Sequence, residues 1–407
     1  MIEAPLHQWV AEKPNAEVEQ ALARLRRAPD VVAIAVMPDV HLASEVCVGV
    51  AIATTSVLYP AAVGSDIGCG MAAIGFDLEA ESAVARGPQI LAALGAKLPV
   101  LRHRTRRCPE LPPALADAPL SAESLEREKL REGKIQLGSL GRGNHFVELQ
   151  RDDHDRLWAM VHTGSRGIGQ RIRNWHEPDG PGLRGLDADS ERGRDYLRDL
   201  EWALAYADEN RERILTTLTE VLADTIGAQP LLDTKITCRH NFVRREPCDL
   251  DGEARDLWVH RKGAISARAG EPGIIPGSMG TASYLVEGRG EPRSLCSSSH
   301  GAGRALARGE AFRTISSKQL RRELRGVCFD ERLVDRLRDE APGAYKDIGA
   351  VMRAQRELTR IVARLRPVLA FKGGLSAIEP DLWARAERGC RSARRRSRAR
   401  SESGSMA

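Results

Sequence analysis

The sequence predicts an α/β fold: a single domain over residues 1–374, with a β-rich central core and surrounding helices. Three observations predict it. Apolar strand-like runs bounded by polar, glycine-bearing turns recur in blocks at 31–76, 145–162 and 235–303. Segments with apolar residues at helical three- and four-residue steps stand around these blocks. Hydrophobic residues make up 42% of the 407-residue chain and charged residues 29%, the balance of a globular protein, and the length allows one large domain, which we favour, or two moderate ones.

Residues 15–27 read as a short amphipathic helix, because Val18, Leu22 and Leu25 share one face. Strands follow at 31–36, 46–53 and 72–76. Between them lie two polar turns, Met37-Pro38-Asp39-Val40-His41 and Gly64-Ser65-Asp66-Ile67-Gly68-Cys69-Gly70. From 79 to about 132 the chain reads as mostly helical and basic, broken by Pro109, Pro112, Pro113 and Pro119. Residues 135–143 are irregular and glycine-rich. Strands are expected at 145–150 and 157–162, the second ending in Thr163-Gly164-Ser165-Arg166-Gly167. The run 190–228 has few breakers and reads as one or two helices forming an arm beside the core. Strands and tight turns fill 235–303, and helical periodicity resumes at 316–324 and 345–365. Beyond Lys372-Gly373-Gly374 the chain becomes arginine-rich and poor in apolar residues, so 375–407 is expected to be a disordered tail.

Several classes are excluded. No basic segment followed by an apolar run opens the chain, and no apolar stretch approaches the roughly 20 residues of a bilayer crossing. The expectation is a cytoplasmic monomer with no membrane partner. Eight cysteines lack the dense spacing of a disulfide framework and are expected to be thiols. Neither a phosphate-binding G-x-x-x-x-G-K-[ST] loop nor a strand-associated G-x-G-x-x-G is present. The net charge of +5 says little about a nucleic-acid partner, since much of the basic excess falls in the terminal arginines.

Two constellations carry chemistry. Asp66 and Cys69 sit on a turn whose glycines let it aim a carboxylate and a thiolate at one point, and His145, His162 and His240 occupy comparable places at strand ends. Together they are donors for a borderline divalent ion such as zinc, manganese or iron. A lone histidine or cysteine is more often a packed side chain, so the weight rests on the set. The second constellation is Ser299-His300-Gly301-Ala302-Gly303-Arg304, where an imidazole stands against a small-residue turn and an arginine. Backbone amides there can cradle phosphate oxygens while His300 attacks phosphorus to form a phosphoramidate. Ser278, in the turn Pro276-Gly277-Ser278-Met279-Gly280, and the pair Arg261-Lys262 offer a second set of donors.

In order along the chain these motifs resemble the RtcB family of RNA-splicing and RNA-repair ligases. The resemblance is carried by Met37 to His41, Val63 to Met71, Gly141-Arg142-Gly143-Asn144-His145-Phe146-Val147-Glu148, His162 to Gly167, His240-Asn241, Arg261 to Ala264, Pro276 to Gly280, Ser299 to Arg304, Ala344-Tyr345-Lys346-Asp347-Ile348 and Lys372-Gly373. It implies a two-manganese site on Asp66, Cys69, His145, His162 and His240, with Cys69 bridging the ions. Asp66 and His145 then face one ion, and His162 and His240 the other. It implies that His300 attacks the α-phosphorus of GTP. Asn144, Ser278, Gly301, Ala302, Gly303 and Arg304 would surround the nucleotide phosphates, and Glu148, Tyr345 and Lys372 the guanosine. The implied substrates are RNA ends bearing a 2',3'-cyclic phosphate or 3'-phosphate and a 5'-hydroxyl; the sequence leaves open whether an activator protein is a further partner. Arg102, Arg104, Arg106, Arg107, Arg166 and Arg171 are candidates for the RNA path.

Three departures stand out. Where the family pattern continues His41 with glycines, this chain has Leu42-Ala43-Ser44-Glu45; Ser297-Ser298-Ser299 stand before His300; and the chain extends past Lys372-Gly373 by an arginine-rich tail, read either as a functionless extension or as an RNA tether. Rival readings are a metal-dependent cyclic-phosphate hydrolase and a noncatalytic RNA-binding protein on the same scaffold. Retention of His300 counts against the first, and the complete donor set counts against the second.

Overall fold

The computed structural model describes residues 3–373 apart from 44, 105–107, 181 and 251. The tail at 375–407, Ser44, Arg106 and Arg107 therefore lie outside the described residues.

In chain order the strands are β1 (Leu6–Gln8), β2 (Val31–His41), β3 (Val48–Thr54), β4 (Val57–Leu58), β5 (Gly70–Glu79), β6 (Phe146–Arg151), β7 (Arg156–Thr163), β8 (Leu186–Asp187), β9 (Pro230–Arg239), β10 (Asn241–Leu250), β11 (Glu253–Lys262), β12 (Ala264–Ser266), β13 (Pro272–Ile275), β14 (Ser283–Gly288), β15 (Ser297–Ser299) and β16 (Thr359–Phe371). They build a five-stranded sheet, β1-β2-β3-β11-β10, and a seven-stranded sheet, β13-β14-β16-β6-β7-β5-β9, with two short ribbons, β12-β15 and β4-β8. Pairing is antiparallel throughout except between β1 and β2. The result is one α/β domain of mixed sheets surrounded by helices.

The first helix, α1 (Ala16–Arg26), begins at Asn15, whose side chain accepts from the Val18 amide, and buries Val18, Leu22 and Leu25 as its spacing predicts. Against the seven-stranded sheet pack α2 (Ala80–Ala85) and α3 (Gly87–Lys97). Short helices α4 (Pro113–Ala116), α5 (Glu123–Glu128) and α6 (Lys134–Gln136) follow, and α7 (Arg166–His176) starts beside the last strand-end motif. Next comes α8 (Glu191–Ile226), a single helix of 36 residues capped by Ser190 and closed by left-handed Gly227. Rather than standing as an arm, α8 is built into the interior. Its first half packs Tyr196, Leu200 and Tyr206 into one apolar cluster, and its second half packs Ile214, Leu218 and Leu222 into another.

Three expectations change. The polar segment Met37 to His41 is the continuation of β2 and not a turn, with irregular pairing to β3 between Val36 and His41. The helix expected at 345–365 shrinks to α-helical Ile348–Ala354, and Thr359–Phe371 is a 13-residue strand. Its β-branched Thr359, Ile361 and Val362 favour that state, and β14 and β6 supply the ladder. Between 79 and 132 the chain is less helical than expected, since β5 reaches Glu79 and no helix is assigned between Leu98 and Pro112 among the described residues. The seven described cysteines are free thiols, and no described helix is long and apolar enough to cross a membrane.

Candidate metal and nucleotide site

Antiparallel pairing brings one end of the seven-stranded sheet together from distant parts of the chain. His145 immediately precedes β6, His162 lies near the end of β7, Cys69 immediately precedes β5, and His240 immediately follows β9. These four strands are neighbours in the sheet. The register places Phe146 and Met71 opposite His162, and Gly70 opposite Arg239, so all four side chains emerge at the same rim. Asp66 joins them from the loop before β5.

The donors form two trios that share Cys69: Cys69, His162 and His240, and Asp66, Cys69 and His145. Within each trio the ligand atoms lie within 4.8 Å of one another. Cys69 Sγ is 3.3 Å from His162 Nε2 and 3.5 Å from His145 Nε2, while His162 Nε2 and His240 Nε2 are 3.4 Å apart. His145 Nε2 is 2.8 Å from Asp66 Oδ2. His162 Nδ1 donates to the Asn144 carbonyl, which leaves Nε2 as the lone-pair nitrogen. Burial holds both His162 and His240 well below the ordinary histidine range, helped by neighbouring His145 and His300 for the first and by His300 and His162 for the second. Both are therefore neutral imidazoles, the form that binds metal. Burial and the Asp66 charge push the Cys69 thiol well up, with Arg211 opposing. Burial would also raise Asp66, but the His145 hydrogen bond and the charges of His145 and Arg166 hold it below the usual value. Carboxylate, thiol and imidazole donor atoms converging in two trios that share Cys69 suit a cation that displaces their protons, so this is a metal-binding site.

Glycine is required at two places here. A Cβ on Gly164 would stand 2.3 Å from Asp66 Oδ1, and one on left-handed Gly68 would stand 2.8 Å from the Ala207 Cβ. Arg166 shows the opposite economy. It takes φ 57 as a non-glycine residue, and its guanidinium lies against Ser139 Oγ at 3.2 Å and His145 Nδ1 at 3.4 Å.

His300 follows β15 and approaches the metal donors from the other side, its ring 4.8 Å from that of His240. Fully buried Asp39, on β2, accepts from both His300 Nδ1–H, at 2.6 Å, and the His300 amide, at 3.1 Å. That arrangement leaves His300 Nε2 free to act as a nucleophile. Lys346 donates to the carbonyls of Pro38 and Val40 on either side of Asp39, at 3.0 and 2.5 Å.

A pocket opens beside His300. Its lining includes every residue the resemblance assigned to the nucleotide: Asn144, Glu148, Ser278, Gly301, Ala302, Gly303, Arg304, Tyr345 and Lys372. It also includes His41, Phe146, Met279 and Glu340. Glu340 organises one wall. It accepts from Arg304 at 2.7 Å, Arg308 at 2.9 Å, Tyr345 Oη at 2.8 Å and the Lys372 ammonium. Burial alone would raise it, but Lys372, Arg308 and Arg304 hold it down at about 2. Glu148 is different. Burial pushes its carboxyl up to about 7, against the pull of Lys372 and a 2.8 Å bond from Gln150 Nε2.

Some sequence-derived donors are placed elsewhere. Arg261 is fully buried, and its guanidinium is spent on Glu246, Ser297 Oγ and the Leu295 carbonyl. Lys262 donates to the Val46 carbonyl. Neither lines the nucleotide pocket. The Ala302 amide donates to the Pro276 carbonyl, so within the turn after His300 that group is already engaged. Of the arginines considered for an RNA path, Arg102 and Arg104 are exposed, Arg166 serves the metal loops, and Arg171 pairs with Glu128 at 2.9 Å. Sequence reasoning quoted Asp39 and His41 within a motif without giving them a role; the signal was a polar pair inside an apolar strand. Asp339 and Glu340 gave no comparable signal, lying in a charged segment like many others.

A family model described as "tRNA-splicing ligase RtcB" matches residues 21–114 and 114–373. The chain is 37% identical over 406 residues to the RNA-splicing ligase RtcB of Escherichia coli strain K12, covering 91% of this chain and 98% of that one. It is 31% identical over 417 residues to the RNA-splicing ligase RtcB of Mycobacterium tuberculosis, with 83% and 96% covered. It is 33% identical over 303 residues to the tRNA-splicing ligase RtcB of Nanoarchaeum equitans, with 62% and 63% covered.

Proposed function

The chain belongs to the RtcB family of RNA-splicing ligases, and from that premise we propose that it seals RNA bearing a 2',3'-cyclic phosphate or 3'-phosphate to RNA bearing a 5'-hydroxyl, with GTP as co-substrate. The observation that carries the reading is the Asp39–His300 pair set between the metal donors and the nucleotide pocket.

His300 Nε2 attacks the α-phosphorus of GTP. The new N–P bond forms as the bond to pyrophosphate breaks, and the positive charge developing on the imidazole is balanced by Asp39 through Nδ1–H. An RNA 3'-phosphate oxygen then takes GMP from His300, and the 5'-hydroxyl displaces GMP to leave a phosphodiester. A cyclic phosphate is first opened by water, which adds to phosphorus as the bond to O2' breaks, giving a 3'-phosphate and a 2'-hydroxyl. Asp66, Cys69 and His145 would hold one manganese ion and Cys69, His162 and His240 a second, supplying withdrawal of phosphoryl charge and a lowered pKa for the attacking hydroxyl. Arg304 and Asn144 would flank the phosphates, and Glu148, Tyr345 and Lys372 would surround the base and sugar; all five line the pocket beside His300.

The test is labelling with α-labelled GTP and manganese. An acid-labile GMP adduct forms on the wild type and is discharged by RNA with a 3'-phosphate. It is absent in His300→Ala and slowed by about 100-fold or more in Asp39→Asn. An adduct that persists in His300→Ala would remove His300 from the role.

A further inference from the structure

Between its two apolar halves, α8 carries a polar stretch that faces the metal loops. Asn210 is fully buried and Arg211 is 2% exposed. An amide and a guanidinium in the interior cost free energy unless their polar groups are matched. Here the matching groups belong to the loops that bear the metal donors. Asn210 Nδ2 donates to the Ser139 carbonyl, Thr163 Oγ1 and the Gly164 carbonyl, at 3.3, 3.1 and 3.2 Å. Its Oδ1 accepts from the Gly138 amide at 2.7 Å. Arg211 Nη1 donates to the carbonyls of Gly68, at 2.6 Å, and Thr163, at 3.0 Å. Gly68 precedes Cys69, and Thr163 follows His162. One turn earlier, half-exposed Asp208 pairs with Arg211 and with Arg239, the residue before His240.

We propose that Asp208, Asn210 and Arg211 are positioning residues of the metal centre, clamping the backbone on which Cys69, His162 and His240 stand. None of them is among the donors or the residues lining the pocket beside His300. They act by presetting the donor spacing, so that binding an ion does not have to order three loops. The inference rests on the metal reading above and extends it to residues that reading does not use. A purely structural clamp would support folding alone, whereas a positioning clamp sets metal affinity and ligand geometry.

The experiment titrates chelated, full-length protein with Co2+ and follows the d–d and thiolate-to-cobalt absorption bands, with melting of the metal-free protein measured alongside. Arg211→Met and Asp208→Asn are expected to weaken Co2+ binding about 10- to 100-fold and to shift or weaken the thiolate band. Arg211→Lys, which keeps the charge but not the two-carbonyl fork, is expected to fall between them and wild type. Wild-type affinity and spectrum in folded Arg211→Met would overturn the proposal. If Arg211→Met does not fold, Asp208→Asn decides, because its side chain is partly in solvent and its loss leaves no buried cavity. Wild-type protein that takes up no Co2+ would overturn the metal reading itself; a deficit confined to the variants leaves that reading standing and supports this one.

Discussion

A carboxyl that titrates near pH 7 inside the proposed nucleotide pocket makes ligand binding depend on pH in a definite direction. Burial is the main cause of the rise of Glu148 to about 7; Lys372 and Gln150 oppose it and Glu340 adds to it. Guanine offers N–H donors on its Watson–Crick edge, and only the ionised carboxylate accepts two of them. GTP binding should therefore expel a proton below about pH 7, and affinity should fall roughly tenfold per pH unit there. Calorimetric titration in buffers of different ionisation enthalpy measures both quantities, and Glu148→Gln should flatten the profile. The stability of the ligand-free protein runs the other way. A folded-state pKa raised above the ordinary carboxyl value means that Glu148 contributes stability below that ordinary value and loses it as pH rises through about 7. Thermal midpoints that rise across this window in the wild type relative to Glu148→Gln would contradict the sign.

The segment that presents His300 is tied to a neighbouring sheet by one buried guanidinium. Arg261 on β11 meets Glu246 on β10 with two bonds of 2.6 and 3.1 Å, and the same guanidinium reaches Ser297 Oγ and the Leu295 carbonyl. Glu246 keeps Arg244 and Arg268 as partners when Arg261 is removed, so Arg261→Met should cost about 1–3 kcal/mol from the lost buried hydrogen bonds, read from the denaturant midpoint. A change below about 1 kcal/mol would show the pair to be dispensable. Strand-end motifs were legible in sequence because glycines and polar residues interrupt apolar runs there, as at Gly64 to Gly70 and Thr163 to Gly167. Three elements were not legible, each for a physical reason. The Met37 to His41 stretch looks like a turn because Pro38 and Asp39 are poor strand residues, yet β2 runs on through them as an irregularity, pairing with β3 at Val36 and again at His41. Residues 359–371 have apolar spacing compatible with a helix, and the sheet decides between the two states. The clamp at 208–211 reads locally as an ordinary solvated helix face, since only the tertiary fold brings four loop segments onto it.

At the scale of the molecule, the metal centre is a cross-link among segments from Asp66 to His240, and the proposed nucleotide pocket is complete only when His300, held by Asp39 of β2, meets Lys372, which follows the last described strand. Local propensity says nothing about such meetings, so donor identity could be read from sequence while the sharing of Cys69 between two trios came from family resemblance and now has a geometry. A cross-link of this span binds the native state and not the unfolded chain, so it must shift the global unfolding equilibrium. For each site saturated at 100 times its dissociation constant the stabilisation is about 2.7 kcal/mol, and it grows with the logarithm of free metal. Calorimetry of chelated protein titrated with Mn2+ should show the midpoint rising in that manner. Cys69→Ala, which removes the donor common to both trios, should lose most of the rise, whereas His240→Ala, which touches one trio, should keep part of it. Equal losses in the two variants would mean that the ions bind as a single indivisible unit, and no rise in the wild type would mean that the converging donors do not hold manganese at all.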